Sequence, residues 1–126
     1  KSSITKIVFE NEIHDIERTS ESFDISEAKN ETVMAHMVLN EDNSTYTVYI
    51  QGNGKVIANQ NSSYLFYSFS CLTSIEGLEY FDTSQVTTMF SMFEECTNLI
   101  SLDLSSFNTS QVTTMHQMFY NCKKNS

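Results

Sequence analysis

Basic residues are scarce in this chain: seven Lys and Arg stand against sixteen Asp and Glu in 126 residues, a formal net charge of -9. With no basic patch to neutralise phosphates, nucleic acid is excluded as an expected partner, and an anionic membrane surface for the same reason. The only adjacent basic pair is Lys123 and Lys124. Long apolar runs are missing too; none approaches the roughly 20 residues of a membrane span, so no membrane insertion is expected. Three glycines cannot build a phosphate-cradling loop, and no P-loop, dinucleotide fingerprint or Gly-x-Ser-x-Gly elbow occurs. His14, His36 and His116 lie in separate segments without His-x-x-x-His spacing, and Cys-x-x-Cys is absent, which argues against a metal site. The many carboxylates read as a solvated face. No catalytic residue, cofactor or metal is therefore expected, and the chain reads as a non-enzyme.

What the chain does have is a repeat. Phe81 to Cys96 (FDTSQVTTMFSMFEEC) returns 26 residues later as Phe107 to Cys122 (FNTSQVTTMHQMFYNC), with eleven of sixteen positions identical. A fixed period of this length marks units too small to bury an apolar face alone, which stack on one another. Val86, Met89, Met92 with Phe93, and Cys96 follow i, i+3, i+7 spacing, which predicts a short one-faced helix. Val112, Met115, Met118, Phe119 and Cys122 keep the pattern in the second copy. Between the copies, Leu102 and Leu104 show the two-residue alternation of a strand. A degenerate unit lies upstream at an offset of 27, where Leu65, Phe66, Leu72 and Ile75 take the places of Met92, Phe93, Leu99 and Leu102. Gly77 sits where the extra residue must be absorbed, a natural bulge or turn. The expected fold class is α+β: a short leucine-rich-repeat-like solenoid of strand, turn and short helix over residues 61–126, behind a β-rich N-terminal capping region over residues 1–60.

The run LxxLDLSSFNTSQVTTMxxMFxxC, with SIEGLEYFDTSQVTTM (Ser74 to Met89) before it, resembles the BspA-like leucine-rich repeat of bacterial surface proteins. The match covers about half the chain; VYIQGNGKVIANQNSSYLFYSF (Val48 to Phe69) is similar to the segment leading into such repeats. The resemblance implies an extracellular or wall-exposed protein with adhesive or host-contact roles, and brings no catalytic residues with it. A chain opening at Lys1 is read as a mature or trimmed product, any signal peptide having been removed.

Upstream, ITKIVF (Ile4 to Phe9) reads as a strand, TVMAHMVL (Thr32 to Leu39) and TYTVYIQ (Thr45 to Gln51) as a hairpin, and KVIA (Lys55 to Ala58) as the third strand of a meander. The acidic stretch from Glu10 to Glu31 reads as loop with a helical turn or two. Cys96 and Cys122 would lie on neighbouring helices roughly 8 to 10 Å apart, beyond the roughly 4.4 to 6.8 Å between Cα atoms that a disulfide requires. They are expected as buried thiols, with Cys71 outside the repeated slot. The sequons at Asn30, Asn43, Asn61 and Asn108 are expected by chance in so Asn-, Ser- and Thr-rich a chain, and Asn108, like Asp82 in the other copy, suits a turn.

Two function classes follow. In the first, the chain is a displayed interaction module that binds a protein or glycan through outward side chains of its strands, Ser74, Glu76, Ser101, Asp103 and Ser105. In the second it is a structural spacer or stalk. An open last unit, built from Leu102, Leu104, Met118 and Phe119, implies either a longer natural chain or a second copy covering that edge, the latter predicting a two-fold homodimer through the C-terminal repeat.

Overall fold

The computed structural model describes residues 3–26 and 32–122. Strands β1 (Ile4–Glu10), β2 (Thr19–Asp24), β3 (Val33–Leu39), β4 (Tyr46–Gly52) and β6 (Ser74–Glu76) form one sheet in the order β2-β3-β4-β1-β6; β5 (Val56–Ile57) pairs with β7 (Phe81–Asp82). β3 and β4 are the expected hairpin, antiparallel from Val33↔Gly52 to Leu39↔Tyr46. Its turn is held by side chains that mimic backbone partners. The Asp42 carboxylate accepts from the N–H groups of Ser44 and Thr45, each at 2.9 Å, and from the Thr45 hydroxyl. Those bonds, led by the Thr45 hydroxyl, pull the Asp42 pKa down to about 2.

Beyond the hairpin the sheet departs from expectation. β4 takes β1, in parallel, as its other neighbour, and β1 pairs in parallel with β6 on its far side. KVIA therefore joins no meander: β5 pairs with β7 instead. Within the acidic stretch, residues 19 to 24 form β2, antiparallel to β3. Its sequence, TSESFD, shows no apolar alternation because an edge strand with mostly exposed residues has no face to bury. Arg18 ties it down, donating to the carbonyls of Leu39 (2.9 Å) and Asn40 (2.8 Å). Residues 27–31 of that stretch, with the Asn30 sequon, lie outside the described residues.

The expected α+β leucine-rich-repeat-like solenoid is not what forms. The molecule is mostly β, built on a mixed five-stranded sheet, and among the described residues the helical content is one three-residue 3-10 turn, Leu78–Tyr80. The segments predicted as helices are strings of tight turns. Ser91 and Glu95 have left-handed backbones (φ 55° and 63°), as do their equivalents Gln117 and Asn121 (φ 57° and 62°) and, 27 residues upstream, Tyr64 and Ser68 (φ 62° and 64°). A left-handed residue at every fourth position cannot continue a right-handed helix.

Hydrogen bonding explains why the turns win. The N–H groups of Met92, Glu94 and Cys96 close turns on Met89, Ser91 and Phe93, while those of Met89, Ser91, Phe93 and Glu95 cross to the carbonyls of Thr114, His116, Met118 and Tyr120 at 2.8 to 3.0 Å. Tyr64, Phe66 and Ser68 donate in the same way to Phe90, Met92 and Glu94. Three layers of turns are thus laid directly on one another. A period of four residues buries the same i, i+3, i+7 set that a helix would, so Val86, Met89, Met92, Phe93 and Cys96 in the middle layer are all fully buried. Leu102 and Leu104 stay outside any strand, and the single bridge nearby joins Ser74 to Ser101.

One hydrophobic cluster extends from Ile4 to Met118, so residues on both sides of position 60 share a core. Phe9 of β1 meets Phe81 with ring centroids 4.5 Å apart. At this seam the chain needs glycine: Gly77 has φ 76°, and a Cβ built there would lie 2.0 Å from the Phe9 carbonyl oxygen.

Candidate functional site

The stacked turns set the outer surface of the repeat half. Because each layer sits directly on the next, side chains in corresponding slots come into contact. Phe66, Phe93 and Phe119 stack face to face, with centroids 5.3 and 5.5 Å apart. A second row points outward. The Phe90 ring is 5.5 Å from Tyr64, edge-on, and 5.6 Å from the His116 imidazole, nearly parallel, while Tyr67 meets Tyr64 at 5.5 Å. Tyr64 and His116 are exposed and Phe90 is half-buried. His116 was legible as an exposed place, since it stands where the other copy has Phe90. Tyr64 was not: it reaches Phe90 from the slot that Ser91 and Gln117 occupy in the other layers, a diagonal contact that no alignment of copies displays.

The expected contact ribbon is split. Ser74 and Ser101 come together as bridge partners. Glu76, Asp103 and Ser105 line one shallow hollow of about 300 Å³ together with Glu79. There the Asp103 carboxylate accepts from the Ser105 N–H at 3.0 Å, and bonding to Ser105 holds its pKa below the usual range. Glu76 faces the other way electrically, paired with Lys6 at 3.1 Å; with both ends exposed, that pair contributes little to stability. Of the residues expected at the open last unit, Met118 is buried, Leu102 and Leu104 are half-buried, and Phe119 is exposed beside Met115 and Tyr120.

Two of the three histidines meet at a residue the sequence did not single out. Gln51, fully buried at the end of β4, donates from Nε2 to Glu10 Oε1 (2.8 Å), so its Oε1 faces the His14 N–H (3.1 Å) and His36 Nε2 (3.0 Å). An amide oxygen only accepts, which puts a proton on His36 Nε2; in the neutral ring Nδ1 then accepts from the Ser22 hydroxyl at 2.7 Å. The His14 ring lies 3.2 Å from Glu10; its pKa is raised, first by a bond to the Asp15 carbonyl and then by Glu10 and Glu12. The chain Ser22, His36, Gln51, Glu10, His14 bonds the edge of the sheet to its centre. Among the described residues no group of three His, Cys, Asp or Glu side chains is arranged to hold a metal ion. Gln51→Leu strands the buried His36 N–H and the His14 N–H, and should cost about 2 kcal/mol or more, read as a lower thermal midpoint. An unchanged midpoint would mean that water serves both groups equally well.

The repeat begins inside a longer stretch with family character. Residues 32–126, three quarters of the chain, match the family described as "Mycoplasma protein of unknown function, DUF285". The chain belongs to the DUF285 family. That stretch takes in β3 to β7 and all three turn layers, so His36, Gln51 and both aromatic rows fall within the DUF285 match, whereas β1 and β2, and with them Glu10, His14 and Ser22 of the polar chain, precede it. No curated protein and no solved structure matched the chain. Among the described residues no helix is long and apolar enough to cross a membrane.

Proposed function

We propose that this DUF285 protein is a non-catalytic interaction module, exported and displayed outside the cell, that holds a protein or glycan through its repeat surface in an adhesion or host-contact role. The observation that supports this reading best is the outward row Tyr64, Phe90 and His116. Aromatic rings brought side by side by the backbone, two of them exposed and Phe90 half-buried between them, offer an apolar surface with polar tips and little side-chain entropy left to lose, the combination enriched where proteins bind partners. The acidic hollow of Glu76, Glu79, Asp103 and Ser105 adds a polar contact area elsewhere on the same repeats. The BspA-like pattern of the sequence points the same way.

Screening the purified protein against extracellular-matrix proteins and a glycan panel tests the proposal. At least one ligand should bind, and Tyr64→Ser should weaken it at least tenfold while the fold, followed by circular dichroism, is kept. Asp103→Asn serves as the parallel variant for the hollow. Binding indifferent to both changes would place the contact elsewhere, and no binding at all would favour the second reading, a structural spacer or stalk.

A further inference from the structure

The separation expected between Cys96 and Cys122 assumed helices, and the turns remove that assumption. Corresponding residues of the last two layers are backbone-bonded neighbours: Thr88 and Thr114 are bridge partners, and the N–H groups of Phe93 and Glu95 bond the carbonyls of Met118 (2.9 Å) and Tyr120 (2.8 Å), each the residue before the counterpart, which continues that parallel register up to the cysteines. Hydrogen-bonded chains of this kind run about 4.8 Å apart, inside the roughly 4.4 to 6.8 Å between Cα atoms that a disulfide spans. Both side chains also take the same direction. Cys96 Sγ donates to the Phe66 carbonyl at 3.0 Å and Cys122 Sγ to the Phe93 carbonyl at 2.7 Å, each reaching back to the layer before its own. The Cys122 sulfur consequently approaches Cys96, whose N–H and thiol are both among its hydrogen-bonding neighbours. Cys71 holds no such place, since the slot upstream of Cys96 is filled by Phe69.

We propose that Cys96 and Cys122 form a reversible disulfide that clamps the last turn layer to the middle one. The oxidant is a small-molecule disulfide of the glutathione type. Cys122, half-buried against a fully buried Cys96, reacts first: its thiolate attacks one sulfur of the oxidant, forming a mixed disulfide and releasing one small thiol. The Cys96 thiolate then attacks Cys122 Sγ, closing the protein disulfide and expelling the second small thiol. The two cysteine protons end on the two released thiols. Burial holds the Cys122 thiol above its ordinary pKa, so the first step should accelerate with pH through the alkaline range.

The experiment incubates the full chain with oxidised glutathione, quenches it by alkylation, and digests it without reduction at acidic residues, which separates all three cysteines. The expected product links the Cys96 peptide to the Cys122 peptide, persists in Cys71→Ser, and disappears on adding dithiothreitol. Hydrogen exchange over residues 115–122 should slow at least tenfold in the oxidised form. In Cys96→Ser the second step has no nucleophile, so glutathione should remain on Cys122 as a stable adduct. A link to Cys71, or a lasting glutathione adduct on Cys122 in the native sequence, would overturn the proposal. So would three unmodified thiols under conditions that oxidise the same chain in denaturant.

Discussion

Met89→Asp should abolish the folded state at room temperature, whereas Met115→Asp should lower the thermal midpoint by only a few degrees. The two methionines occupy the same slot of the two copies, and by sequence alone they should be equally sensitive. Their surroundings differ. Met89 lies in the middle layer, covered on both sides and fully buried, while Met115, in the last layer, is 45% exposed. A carboxylate at Met89 would sit unpaired in the core cluster with Val86, Met92 and Phe93, at a cost of several kcal/mol against a total stability of about 5 to 15 kcal/mol. At Met115 the charge can reach water, and a loss of about 1 kcal/mol is expected. Met89→Leu, which keeps the volume, should cost less than about 1.5 kcal/mol. Circular dichroism melts of the three variants decide the matter; a native-like melt for Met89→Asp would show that the wrong face of the turns has been placed inside.

Gly77→Ala carries the next largest expected effect. The residue has a left-handed backbone, for which any Cβ costs about 1 to 2 kcal/mol. The new methyl would also lie 2.0 Å from the Phe9 carbonyl oxygen, a backbone atom of β1 that cannot swing aside. Separating β1 from the turn at Gly77 strains the β1–β6 pairing just before it, where Val8 faces Glu76. The combined loss should be on the order of 3 kcal/mol or more, lowering the thermal midpoint by about 10 °C. Gly77→Asn separates the two causes. Asparagine tolerates the left-handed region better than alanine, so if collision dominates, both variants should fall equally; a much milder Asn variant would mean that backbone conformation is the main cost.

The pairing of sequence signal with structure was uneven for identifiable reasons. β1, β3 and β4 were legible as short runs rich in β-branched, apolar and aromatic residues, β4 also through the alternation of Thr47, Tyr49 and Gln51 with Tyr46, Val48 and Ile50. β2 was not, since its pairing with β3 rests on backbone bonds and on Arg18 rather than on an apolar stripe. The parallel insertion of β1 between β4 and β6 was invisible for another reason: parallel partners far apart in sequence share no turn that announces them. At the candidate site, the exposed place of His116 could be read from the substitution of Phe90 between copies. The Tyr64 contact and the meeting of His14 with His36 at Gln51 could not, because they arise between segments whose spacing carries no period.

The residues alone show that one unit occurs twice, that Val86, Met89, Met92, Phe93 and Cys96 form an inward set, and that Gly77 marks an irregular join. Each follows from side-chain chemistry repeated at a fixed interval. Only the tertiary structure decided what backbone carries that set. Apolar residues at i, i+3 and i+7 suit a helix and a series of four-residue turns equally well, and the difference lies in where the N–H groups find acceptors. In an isolated segment the acceptor four residues back is the nearest. In the first two layers, carbonyls of the following layer lie within 2.8 to 3.0 Å of every second N–H, and that supply, which exists only once the layers are stacked, favours turns over helix and brings Cys96 and Cys122 within reach of one another.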